Sequence, residues 1–195
     1  MSERQKDRLA RCLREVEDHP GSATAHYNLG LAYTVSSRVR QAEEAYLKAV
    51  ELDPDLVQAW VNLGGIRLMR WDFKGSLAAN EEAVRRRPEL AEAHFNMGQA
   101  YLYLNDPVNL LHANQRVLEL EPNHGAAHYF AAVARLAMDE LGAAHRHLAR
   151  AIELGHSPPP EFIRAMEKAQ VEHARSRTTL IEITGKQDPE TPKED

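Results

Sequence analysis

Cysteine is nearly absent: Cys12 stands alone in 195 residues, so no disulfide closes within the chain and no cysteine metal cluster can assemble. Long apolar runs are absent as well. No stretch approaches the roughly 18 apolar residues of a membrane span. The opening MSERQKDRLARCLREVEDH is charged throughout and lacks the apolar core of a signal peptide. The expectation is a cytoplasmic protein with no membrane insertion. An excess of positive charge is missing too: the net charge is −5, which gives no electrostatic case for nucleic acid or an anionic surface as partner. The one dense basic run, Arg85-Arg86-Arg87, closes an expected helix before Pro88, where cations favour the helix dipole.

Chemical motifs are equally scarce. There is no glycine-rich phosphate loop, nucleophile elbow or paired-carboxylate motif, so neither catalysis nor a cofactor is expected. His124 and His128 are four apart, a spacing that can put two imidazoles on one helix face for zinc, with His145 and His147 in the next helix. His128, however, shares its place in the chain's repeat with His26 and His94, so packing is the expected role and no metal is expected. Cys12 reads as a packing residue on an amphipathic helix. Glu43-Glu44 and Glu81-Glu82 read as solvated helix faces.

What is present is a period. Pro20, Pro54, Pro88 and Pro122 stand 34 residues apart, as do Gly30, Gly64 and Gly98, with Ala132 in the fourth place. A fixed spacing of that length marks a stack of one supersecondary unit, so 195 residues form one elongated body. The units are 23–56, 57–90, 91–124 and 125–158. In the first helix of each, the fourth place holds His26, Trp60, His94 and His128. The seventh holds Leu29, Leu63, Met97 and Ala131, and the small eighth-place residue lets a paired helix approach. The second helices turn Ala42, Tyr46 and Ala49 inward in the first unit, Ser76, Asn80 and Ala83 in the second. Leu110, Asn114 and Val117 follow in the third, Ala144, Leu148 and Ala151 in the fourth. Proline ends each second helix except the last, where His156 stands instead.

AHYNLG (25–30), AWVNLG (59–64) and AHFNMG (93–98) make the pattern resemble the tetratricopeptide repeat over residues 23–156. Departures are Arg67 and Arg135 at the eleventh place, where Tyr33 and Tyr101 are aromatic, and Asn80 and Asn114 in second helices. The resemblance implies an all-α, right-handed α-solenoid of four helix-turn-helix repeats with caps at both ends. Residues 1–20 supply one cap, with Leu9, Leu13 and Val16 facing the first unit. Residues 159–175 supply the other, with Phe162, Ile163, Met166 and Ala169 turned inward. For 176–195 the expectation is a flexible acidic tail, in which TTLIEIT could pair as a strand.

The resemblance also implies a concave groove lined by the first helices. Its places fall on Tyr27, Asn28 and Leu31 in the first unit, and on Gln58, Val61, Asn62, Leu68 and Met69 in the second. The third unit contributes Glu92, Phe95, Asn96, Gln99 and Tyr103, and the fourth Tyr129, Phe130 and Val133. With Glu92 the sole charge among them, such a groove suits a peptide or helical segment of a partner protein with apolar anchors. Asn28, Asn62 and Asn96 resemble the asparagine ladder of the O-GlcNAc transferase superhelix, able to pair with peptide groups. The resemblance also implies where a carboxylate clamp for chaperone tails would need lysine, asparagine and two further basic residues; Tyr27, Leu31, Glu92 and Asn96 stand there instead, so the cationic half is absent and that ligand is disfavoured. The expected function is a protein-interaction scaffold or adaptor. The alternative is a subunit of a homo-oligomer or larger assembly that binds through its convex face, caps and tail.

Overall fold

Proline and a left-handed turn residue punctuate the chain alternately, and between them it can only fold into short helices. The computed structural model describes residues 3–184, with side chains through 175. The helices are α1 (Glu3–Asp18), α2 (Ala23–Val35), α3 (Val39–Leu52), α4 (Val57–Met69), α5 (Phe73–Arg86), α6 (Ala91–Tyr103), α7 (Pro107–Leu120), α8 (Gly125–Ala137), α9 (Leu141–Glu153) and α10 (Pro160–Thr184). Each helix packs on the next in sequence, and α4 also meets α6. Helices α2 to α9 therefore form four hairpins in a row, each nesting against its neighbour.

Inside a hairpin, the first helix ends at a left-handed residue. Ser37, Trp71, Asn105 and Asp139 hold φ of 56°, 62°, 55° and 62°. The next amide in each case bonds back five residues, as in Arg38 N–H to the Tyr33 carbonyl at 2.9 Å and Asp72 to Arg67 at 2.9 Å. This closes the helix with the six-to-one bond of a Schellman turn. Between hairpins, Asp53, Arg87 and Glu121 are extended and lead into proline, since proline bars its predecessor from helical angles. The fourth hairpin lacks that proline and stops differently. Gly155 takes φ 80°, and the His156 amide bonds to the Ala151 carbonyl at 3.0 Å.

The hairpins close on their small residues. A methyl group on Gly30 would lie 2.5 Å from the Tyr46 ring, and one on Gly64 or Gly98 would lie 2.1 Å or 2.6 Å from the amide of Asn80 or Asn114. All twelve inward places of the second helices are buried. Asn80 and Asn114 thus fill the place of a ring, not of a surface residue. The fourth place also has one job throughout. His26 Nε2 lies 2.9 Å from the Pro20 carbonyl, Trp60 Nε1 donates to Pro54 at 2.8 Å, and His94 and His128 reach Pro88 and Pro122 at 2.9 Å and 3.2 Å.

Charged residues correct one reading. Glu43 is not a solvated face: it is buried, accepts from Arg67 Nε at 3.2 Å and pairs with Arg70. Arg67 also donates to the Gly75 carbonyl at 3.0 Å, so an ion pair between α3 and α4 replaces the eleventh-place aromatic. Arg86 rests 5.5 Å over the Trp60 ring and bonds Glu82 at 2.6 Å, which uses one member of the arginine run structurally.

The ends differ from expectation in detail. In α1, Leu9, Cys12 and Val16 pack on Leu29, Ala32 and Ala45, whereas Leu13 is 38% exposed. Cys12 and Leu13 flank the line from Leu9 to Val16 equally, and it is the Cys12 side that α2 and α3 cover. In α10, Phe162, Ile163 and Met166 cover Leu148, Ala144 and Ala132. This helix runs to Thr184, so TTLIEIT is helical backbone and not a strand, and the cap is longer than 159–175. Residues 185–195, the rest of the expected tail, lie outside the described residues.

Candidate functional site

The first helices α2, α4, α6 and α8 carry every residue that the groove reading names. Gln58, Met69, Glu92 and Tyr103 are exposed; Tyr27, Asn28, Leu31, Asn62, Leu68, Phe95, Gln99, Tyr129, Phe130 and Val133 are half-buried. Two residues depart from the expectation. Val61 is 2% exposed and packs with Val57, Ala83 and Ala93, so it is a core residue with nothing to offer a ligand. Asn96, at 9%, is buried and donates from Nδ2 to Asn80 Oδ1 at 3.3 Å.

The asparagine ladder is accordingly spent inside the protein. Asn62 donates to the Tyr27 hydroxyl at 3.3 Å, while Tyr27 stands 6.0 Å from the Tyr46 ring. Asn28 has no preceding hairpin to meet. It borders a cavity of about 490 Å³ with Arg4, Asp7, Arg8, Arg11, Cys12 and Glu15 of α1. Burial pushes the Cys12 thiol up from its ordinary range, so it stays protonated there and is a poor nucleophile.

The aromatic residues collect into two groups. One is a chain of rings across the third and fourth hairpins. His124 lies 4.7 Å from Phe95, Phe95 5.6 Å from Phe130, Phe130 5.3 Å from Tyr129, and Tyr129 4.9 Å from His156. Phe162 of α10 meets Tyr129 edge-on at 5.2 Å. Burial raises the Tyr129 phenol pKa, so that phenol is uncharged at physiological pH. The other group is Trp71, Phe73 and Tyr103. Phe73 and Tyr103 stack at 4.7 Å, and Trp71 sits edge-on to Tyr103 at 5.4 Å while 70% exposed. The period does not pick out Trp71 and Phe73 as a surface. The clue was available, because Ser37, Asn105 and Asp139 suit a left-handed turn and a bulky Trp71 does not.

Among the described residues, no group of three or more His, Cys, Asp or Glu side chains could hold a metal ion. Nor is any helix among them long and apolar enough to cross a membrane. What the surface offers is shape and aromatic area.

The geometry can be set beside known proteins. Residues 23–56 match the family model of the tetratricopeptide repeat. Those residues carry one tetratricopeptide repeat, and the fold is an α-solenoid of that kind. Among solved structures this tetratricopeptide fold is similar to MamA, at 18% identity over 75% of this chain and 86% of that one, with a TM-score of 0.72. It is similar to YrrB, described as a tetratricopeptide protein with an unusual peptide-binding site, at 23% identity over 86% and 84%, TM-score 0.70. It is also similar to PilF of Pseudomonas aeruginosa, at 18% identity over 94% and 86%, TM-score 0.74. No curated protein matches. Identities this low speak for the tetratricopeptide architecture, whose members are in general protein-interaction scaffolds.

Proposed function

We propose that this protein is a non-enzymatic scaffold or adaptor that docks a segment of a partner protein along its first helices. The observation that carries the reading is the continuous run of rings from His124 through Phe95 and Phe130 to Tyr129. Such a run supplies large contact area at little conformational cost, the property of binding anchors. The ligand class that fits is a neutral peptide or helix with apolar side chains, since Glu92 is the one charge among the named residues. Backbone recognition by amides falls chiefly to Asn28, because Asn62 and Asn96 already donate internally.

The test is Phe95→Lys, compared with wild type in affinity capture from the native extract and in circular dichroism. The expected result is loss of a specific captured protein, about tenfold or more for a buried anchor, with helicity retained. Capture unchanged by a folded Phe95→Lys protein would remove the groove reading.

A second reading, a subunit of a homo-oligomer or larger assembly, is favoured by the exposed Trp71 and Tyr103 packed on half-buried Phe73, since exposed apolar patches mark contact surfaces. Sedimentation of the purified chain separates the two. A monomer whose state is unchanged by Trp71→Ser counts against self-assembly.

A further inference from the structure

The fourth hairpin holds a side-chain pair that the other three do not. His128 of α8 and His147 of α9 face each other with their Nδ1 atoms 3.1 Å apart and ring centres 5.3 Å apart. At the place of His147 the other hairpins carry Ala45, Ala79 and Ala113, all buried. The equivalent position thus carries a methyl group three times and an imidazole once.

The protons of this pair are fixed by geometry. His128 Nε2 sits 3.2 Å from the Pro122 carbonyl oxygen. A carbonyl can only accept, so Nε2 carries the hydrogen and Nδ1 of neutral His128 is the acceptor. His147 must then donate from its own Nδ1. Both nitrogens of His128 are thereby committed. The next proton taken up by the pair goes to Nε2 of His147, which puts a cation into this half-buried site beside Arg135 and Arg146.

We propose that His128 and His147 form an acid-sensitive latch, which holds the two helices of the fourth hairpin together at neutral pH and releases them on acidification. The charged and titratable groups acting on His147 are His128 and Arg135 from α8 and Arg146 from α9 itself. All of them are bases. Arg135 is paired with Glu140 at the start of α9, yet its Nε is buried without a partner. Burial first, and these neighbours next, hold the His147 pKa below the ordinary histidine value. A pKa depressed by folding means that the unfolded chain binds the proton more readily. The stabilising contribution is present above about pH 6.5 and is lost as the pH falls through the folded value.

The experiment follows the Tm of the full chain and of His147→Ala from about pH 7.5 to about pH 5. Alanine is what the other hairpins use there, so this variant is expected to fold. Acid should lower the wild-type Tm by about 2–4 °C more than that of His147→Ala. His128→Trp is the second variant. Trp60 shows that a tryptophan at this place still donates to the proline carbonyl, so it keeps that bond and removes the titrating partner; it should flatten the difference equally. Hydrogen exchange should localise the wild-type effect, with protection over 125–153 falling relative to 91–120. If both variants track the wild type across the range, or if protection falls evenly over the array, the latch does not exist.

Discussion

The joint between the second and third hairpins and the joint between the third and fourth start from the same residue and end differently. Asn80 and Asn114 both lie fully buried, each beside an eighth-place glycine, and each donates to a carbonyl one turn back, at 2.9 Å and 2.8 Å. At the earlier joint Asn96 of the next hairpin completes the pair by donating to Asn80 Oδ1. At the later joint the corresponding residue is Phe130, which has no donor, and Asn114 Oδ1 is buried with no hydrogen-bond partner. One substitution along the groove face thus changes a satisfied polar contact into an orphan underneath it. The lesson is that the sixth-place side chain serves the joint between hairpins as much as any ligand.

The comparison can be broken at the satisfied joint first. Asn80→Leu removes the acceptor of a buried amide, so Asn96 is left unpaired. The cost should be about 1–3 kcal/mol, read as a lower midpoint in urea. The reverse exchange sharpens the contrast. Phe130→Asn forfeits ring contacts with Phe95 and Tyr129 but offers Asn114 Oδ1 a donor. A double-mutant cycle of Phe130→Asn with Asn114→Leu should therefore show a favourable coupling of about 1 kcal/mol between the two asparagines. The smallest effect belongs to Asn114→Leu alone. Leu148 beside Ala132 shows that the array accepts leucine there, and removing an orphaned oxygen should leave stability unchanged or raise it by up to about 1 kcal/mol. A loss as large as that of Asn80→Leu would show the joints to be equivalent after all.

The hairpins themselves were legible because their cause is local and periodic. Proline, glycine and the apolar stripe recur at one spacing, and the twelve inward places of the second helices follow from it. Partnerships between hairpins were less legible. Arg67 and Glu43 lie 24 residues apart, and neither residue type announces a buried pair. The break at Phe130 could be read from the chain, but the oxygen it strands belongs to Asn114, on another helix. Among the groove residues, period alone could not separate Val61, which packs inward, from Leu68, which stays half-open, because both sit on the same helix and both are aliphatic. The turn residue Trp71 escaped notice for a different reason: its backbone conformation, not its hydropathy, marks it as out of place.

The ring-to-carbonyl bonds at the fourth places set a mechanical property of the molecule. At Pro20, Pro54, Pro88 and Pro122 an N–H hooks the preceding linker at almost one length, so successive segments of this spring share a common pitch. The fifth such place is Phe162, whose ring has no hydrogen to give. The last coil is therefore seated by packing, with Phe162, Ile163 and Met166 against Leu148, Ala144 and Ala132 and the Phe162 ring edge-on to Tyr129, and among the described residues no ring-to-carbonyl hook holds it.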